Sequence, residues 1–494
     1  MQDAGKKGIA KILANRKFKY GSFATLIAAG FVAVVVILNI IATVLVDRFP
    51  LTLDLTKDSV FSLSEDSVSF IKGLNKDVNI IVLANKEDYL NASDYYAQSI
   101  TVLDNYQRYS GHIKIEYVDI VKNPAIVSQY PDLALTAGDI LIKTDSRSKK
   151  IKASDLLNTT MDYNYYQQVV TSSKAEQVLS SAIEYVTAEE TVLVSLITGH
   201  EELTTSGLND ILSLNNYETV TQKLLGEEIN PEAKFIVINS PKRDFTAEEL
   251  KALDVFLDNN QNYGKTLLYF ADSDQPELPN LEAYLEEWGI SVGEGIVYET
   301  DKNLVASATN PFYTFTENAS SDYTTKIAER SLDVLVPFGR PLNALFENKG
   351  NLTVTKLLGY SAGSRLYPAD AGENYTPSEN DPKGPFGAAI RSTKLRYDGT
   401  TPLTTNVIAF ASSVTVDASI TTSSVTGNAE YIAELINTVS EKKSSLSIVS
   451  KTVGAGQITI TGLQVIMLGL VFLILVPLGV LITGVVIWVR RRNR

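Results

Sequence analysis

The sequence predicts a membrane-anchored α/β protein. Two transmembrane helices, N- and C-terminal, are expected to flank a large extracytoplasmic region with a thioredoxin-like α/β domain and a Rossmann-like α/β domain. Three observations carry this expectation. Residues 21–46 and 461–489 contain no charged side chain, and an apolar run of about 18 or more residues reads as a membrane span. Lys and Arg gather just outside both runs. Between them, short β-branched strands alternate with amphipathic helical segments, the pattern of βαβ units around a mainly parallel sheet.

The charge distribution orients the spans. Residues 1–20 carry Lys6, Lys7, Lys11, Arg16, Lys17 and Lys19 against Asp3, and Arg490, Arg491, Arg492 and Arg494 follow the second run. Setting these aside turns the net charge of −13 into a body of 34 bases and 56 acids, net −22. Bases collect on the cytoplasmic side of spans, so both termini are expected in the cytoplasm and the acidic body outside the cell membrane. An acidic body of this kind also argues against a nucleic-acid partner, which requires clustered base. The first run passes directly into Asp47-Arg48-Phe49-Pro50 without a small-residue cleavage site, so it reads as an uncleaved anchor rather than a signal peptide. The chain has no cysteine and only His112 and His200, which removes disulfides, thiol catalysis and Cys-type zinc sites and argues against a His-based metal centre.

The expected organisation is a basic N-terminus (1–20), a first span (21–46), the thioredoxin-like domain (47–186), a second α/β domain with long inserted loops (187–455), a second span (461–489) and a basic tail (490–494). In the first domain, Ser62 and Glu65 have capping-box spacing ahead of a helix over 63–73. Strands follow at 78–84, 113–120 and 139–143, with a helix over 94–109. In the second, strands at 192–198, 235–239 and 266–270 alternate with helices over 207–214, 246–259 and 278–288. Thr246 and Glu249 form another capping-box pair. From 296 to 450 the pattern weakens to strand-like runs at 332–337, 352–357 and 406–411. A proline- and acid-rich stretch, 367–387, reads as a functional or disordered loop, and a last helix covers 428–440.

Few motifs carry chemistry. Gly264-Lys265-Thr266 ends like a phosphate loop, but Asn259 stands where the first glycine belongs and a strand, not a helix, follows. A helix-to-strand turn is the better reading. His200, at the end of a strand, occupies the carboxyl edge where α/β sites lie, yet no Gly-x-Ser-x-Gly elbow or cysteine supplies a nucleophile. The expectation is no enzyme, no catalytic residues, no cofactor and no metal, with Asp272 and Asp274 weighed as cation ligands and set aside. Candidate contact residues for a partner or substrate are His200 and Glu201 in this turn and Tyr163, Tyr165 and Tyr166 in a tyrosine cluster suited to interfaces or sugar stacking. Asn39 and Pro477 within the apolar runs complete the set.

These features together resemble a family. The series runs from the basic N-terminus and first span through Leu53-Asp54-Leu55-Thr56, Phe61-Ser62-Leu63-Ser64-Glu65 and Val78–Val82. It continues through Thr198-Gly199-His200-Glu201 and Ser240-Pro241 to Gly427-Asn428 before the terminal span. Over about 5–460 it is similar to the GldG-type auxiliary subunits of gliding-motility-type ABC transporters. The middle is similar to the domain shared with intraflagellar-transport proteins, itself like a glutamine-amidotransferase fold without its catalytic residues. Family members commonly read Gly-His-Gly-Glu where this chain has Gly199-His200-Glu201-Glu202. The resemblance implies a non-catalytic subunit whose partners are an ABC ATPase and a multi-span permease in the lipid bilayer, with a second copy of the chain as a further candidate. The two helices would pack on the permease while the outer domains contact substrate or partner proteins. A stand-alone surface binding protein for a glycan or protein, and a membrane-anchored hydrolase, are the rival expectations.

Overall fold

A computed structural model describes residues 61–162, 167–226, 228–371, 375–423, 425–442, 448, 451 and 476–492, with Gly30, Ala33, Val34, Val36, Ile37 and Ile40 of the first apolar run. The chain divides into two units, Met1–Thr56 and Lys57–Arg494. In the first unit the six described residues are helical and exposed. Everything below concerns the second.

Its first domain begins with helix α1 (Glu65–Lys72), capped by Ser64, whose side chain accepts the Ser67 N–H. The expected Ser62–Glu65 box is thus replaced by a cap two residues later. Ser64 wins because its own N–H is held at 2.7 Å by Glu176, 112 residues away. Strand β1 (Val78–Val82) leads through helices α2 (Lys86–Ala92) and α3 (Asp94–Tyr109) to β2 (Ile113–Tyr117), which runs parallel to β1. A hairpin of β3 (Ile140–Lys143) and β4 (Ser148–Ile151) completes a sheet ordered β2-β1-β3-β4, with β3 antiparallel to β1. A second hairpin, β5 (Leu157–Asp162) and β6 (Gln167–Ser173), feeds helix α4 (Ala175–Thr187). Leu179, Ile183 and Val186 of α4 bury against Val78, Ile80, Tyr106 and Ile142 in this domain's core.

The second domain is built on an eleven-stranded mixed sheet. Strand β7 (Val192–Thr198), helix α5 (Ser206–Leu214), β8 (Tyr217–Lys223), β9 (Phe235–Asn239), helix α6 (Ala247–Asp258), β10 (Thr266–Phe270) and helix α7 (Pro279–Glu287) form its parallel half. Strands β9 and β10 are wholly buried, which is why they read as unbroken apolar runs. The stretch 290–410 supplies the other half: β11 (Ile290–Val292), β12 (Leu342–Ala344), β13 (Leu352–Gly359) and a long hairpin of β14 (Gly387–Asp398) and β15 (Thr401–Phe410). Strand β15 runs parallel to β10, so the main path reads β11-β12-β14-β15-β10-β9-β7-β8. Phe270 and Phe410 stack across that seam with centroids 4.9 Å apart. The expected strand at 332–337 contributes only an isolated bridge at Leu335. Helix α8 (Asn428–Val439) packs Tyr431, Ile432, Leu435 and Ile436 into the same core.

The two domains meet through a buried polar joint. Asn216, 5% exposed, donates to Ser181 O (2.9 Å) and Glu184 Oε2 (2.8 Å) of α4 and accepts from Ser181 Oγ and Lys149 Nζ, each at 3.1 Å. Lys442 adds a 3.7 Å pair to Glu184 and a 2.5 Å bond to Asn215 O. A second long-range tie lies at Glu176. It holds Ser64 N–H and pairs at 2.7 Å with Lys451, which in turn donates to Ser62 O at 2.6 Å.

The membrane-anchored expectation is corrected here. Among the described residues no helix is long and apolar enough to cross a membrane. Helix α9 (Val476–Arg492) has 17 residues and ends on three arginines. The two transmembrane helices, the two-pass plasma-membrane location and the ABC-transporter description built on them are therefore not supported. What stands is a mixed α/β fold. Residues 1–29, most of 31–60 and 452–475, on which the other span readings fall, lie outside the described residues.

Candidate functional site

Parallel strands bring their carboxyl ends to one edge. The register aligns Leu196 with Val237, Asn239 with Phe270, and Phe270 with Phe410. The turns that follow, at Gly199-His200, Ser240-Pro241, Ala271-Asp272 and Ser412-Ser413, thus line the edge where open α/β sheets place their sites.

His200 is the centre of this edge, and its ring is fully engaged. It stacks on Phe245 with centroids 3.9 Å apart and planes 13° from parallel. Nδ1 lies 3.3 Å from Glu202 Oε1 and Nε2 lies 3.2 Å from Glu249 Oε1, with the His200 side chain only 8% exposed. Glu202 also accepts the His200 N–H at 2.8 Å. Glu249 is positioned by the start of α6, where the capping box expected from the sequence forms: Thr246 Oγ1 accepts the Glu249 N–H, and Glu249 accepts from Thr246 N and Oγ1, both at 2.9 Å. Burial pushes the Glu249 carboxyl up, but the Thr246 bonds and the adjacent His200 more than offset it and hold it below its ordinary value.

Glu201, the other residue singled out in this turn, faces solvent and pairs with Arg243. Its φ of +60° is the left-handed region in which glycine is at home. Asp272 accepts from Ser413 Oγ and Asp274 N and lies 3.8 Å from Lys242. Among the described residues no group of three or more His, Cys, Asp or Glu side chains is arranged to hold a metal ion. Lys265 is buried and donates to Pro231 O and Ala233 O at 2.5 and 2.6 Å, as a turn residue.

Sequence reasoning missed a cleft of about 460 Å³ on the other side of the same turn, between α5 and edge strand β8. Leu196, Leu208 and Val237 are among its apolar lining; Thr198, Thr205, Thr219, Thr221 and Asn239 are among its polar lining, and Glu202 is its one acidic or basic side chain. Thr205 Oγ1 and Asn239 Oδ1 are buried without a hydrogen-bond partner, as is the neighbouring Ser240 Oγ. The threonines at alternate positions of β8 were the available signal.

Tyr163, Tyr165, Tyr166 and Asn39 lie outside the described residues. Pro477 is in α9. The loop 367–387 is tied down by Asp381, which accepts from Tyr298 Oη (2.7 Å), Ser378 N and Oγ, and Tyr375 Oη. The Tyr375 bond, against the cost of burial and with the Tyr298 and Ser378 bonds, holds that carboxyl well below its usual range.

Fold and edge together define a two-domain α/β protein with a sealed histidine and an open, hydroxyl-lined cleft. A family model described as a domain of unknown function, DUF7088, matches residues 57–157, within the first domain. No curated protein matches the chain. Among solved structures, the mmIFT52 N-terminal domain is similar over 52% of this chain and all of its own, with 16% identity and a TM-score of 0.37. A glutamine amidotransferase from Thermotoga maritima is similar over 52% of this chain and 87% of its own, with 13% identity and a TM-score of 0.25.

Proposed function

We propose that the chain is a non-catalytic accessory subunit of the GldG type, acting by binding partner proteins rather than by transforming a substrate. One observation chiefly supports the non-catalytic part. Both ring nitrogens of His200 face carboxylates inside the protein, so neither is turned toward a substrate proton, as a general base requires. The series from Leu53 through Gly427-Asn428, which does not rest on the span readings, supports the subunit reading and makes an ATPase and a multi-span permease the partners to look for. Affinity purification of the full chain after in-cell cross-linking tests it. Co-recovery of both partners in comparable amounts is the expected result, and recovery of neither overturns it. A His200→Ala variant that folds but loses a measured turnover would overturn the non-catalytic part separately.

A further inference from the structure

The cleft between α5 and β8 has the attributes of a ligand site with no assigned occupant. Its volume of about 460 Å³ falls in the range of small-molecule pockets. Two of its lining residues, Thr205 and Asn239, are 6% and 5% exposed and carry oxygens without a partner. Buried polar atoms are rarely left so, because each costs about 1–3 kcal/mol. Thr205 occupies the N-cap position of α5, where a hydroxyl ordinarily closes on the helix's own N–H, yet it makes no such bond.

Charge narrows the ligand class. Glu202 is the single acidic or basic side chain of the lining, and its two oxygens already face the His200 N–H and ring. An anion would meet this carboxylate with no lining base to offset it. A metal ion would find one occupied carboxylate where hard cations take six or more oxygens. What remains is an apolar floor with hydroxyl and amide walls. Thr219 and Thr221 add exposed hydroxyls two residues apart on one face of β8, about 6.6 Å from each other along the strand.

We propose that this cleft binds a neutral carbohydrate of one or two rings. The C–H face of the sugar lies on Leu196, Leu208 and Val237, and its hydroxyls reach Thr205, Asn239 and Thr221. The proposal does not depend on the accessory-subunit reading. Saturation-transfer NMR on the full chain tests it with glucose, mannose, N-acetylglucosamine and cellobiose, alongside inorganic phosphate and a ten-residue polar peptide. At least one neutral sugar is expected to bind, and Thr205→Val and Thr221→Lys are each expected to weaken it about tenfold or more. Without sugar, Thr205→Val is expected to melt at or above the wild-type temperature, because the hydroxyl it removes has no partner. That readout separates a ligand contact from a structural role. Failure of every neutral sugar at tens of millimolar, unchanged binding in Thr221→Lys, or binding of phosphate or peptide alone overturns it.

Discussion

Removing one side chain at the joint should uncouple the two domains. Asn216 makes two neutral and two charge-assisted hydrogen bonds, to Ser181 twice and to Glu184 and Lys149. Neutral bonds contribute about 1 kcal/mol each and charged ones about 1.5–3. Glu184 keeps Lys442 at 3.7 Å in the variant, and water entering the gap satisfies part of the rest, so Asn216→Ala is expected to cost about 3–4 kcal/mol. Asn216 also sits at φ +58°. Asn216→Gly, which suits that backbone, should therefore be roughly 1 kcal/mol milder than alanine. The assay is urea unfolding of the full chain in a Trp488→Phe background. Trp288, buried in the second core, reports that domain by fluorescence, while far-ultraviolet circular dichroism reports both. The two transitions are expected to coincide in the parent and separate in Asn216→Ala, with the first domain unfolding earlier. Coincident transitions with a loss below about 1 kcal/mol would refute the joint.

Burial lowers Lys149 to about 8, with Glu184 opposing and Lys442 reinforcing the shift. Since an unfolded lysine titrates near 10.4, the folded chain binds fewer protons between about pH 8 and pH 10, and stability should rise across that window. Lys149→Met should flatten most of the rise in a pH series of melts, leaving a smaller slope from Lys442, which burial lowers likewise. Thr246→Ala, which opens the capping box around Glu249, should cost about 1–2 kcal/mol by denaturant titration. Gly207→Ala sets two effects against each other. Helix propensity favours alanine by about 1 kcal/mol, but its Cβ would lie 2.5 Å from Val416 O and 2.7 Å from Ala418 N. Overpacking against backbone should win by about 1 kcal/mol or more, and a higher melting temperature would show that α5 is not packed there.

Legibility followed the kind of burial each segment experiences. Strands 235–239 and 266–270 were readable to their ends, because strands covered on both faces are almost wholly apolar and stop at turn residues, and 192–198, buried only in part, still keeps a mostly apolar run. The hairpin 387–398/401–410 was mostly hidden: Arg391, Thr393, Lys394 and Thr404 interrupt any alternation, and its outer half is partly exposed. Ser62 and Ser64 were indistinguishable locally, and a distant carboxylate chose between them. At the candidate site, Glu202 was visible beside His200, whereas Glu249 was visible only as a capping residue. Nothing in the spacing tied it to a histidine 49 positions earlier. The cleft was illegible for the same reason, since its walls come from strand, helix and turn and are joined only by folding.

The tie at Glu176 has a mechanical consequence. Ser64 and Lys451 meet on the Glu176 carboxylate, Lys451 also reaches Ser62 O, and its backbone exchanges two bonds with Ser173, so both flanks of the folded body are fastened at one small cluster and tension applied between them bears first on it. A few polar bonds, each contributing about 1–3 kcal/mol, resist separation less than a packed core does. A pull from both ends should open this junction while leaving the sheets behind it intact.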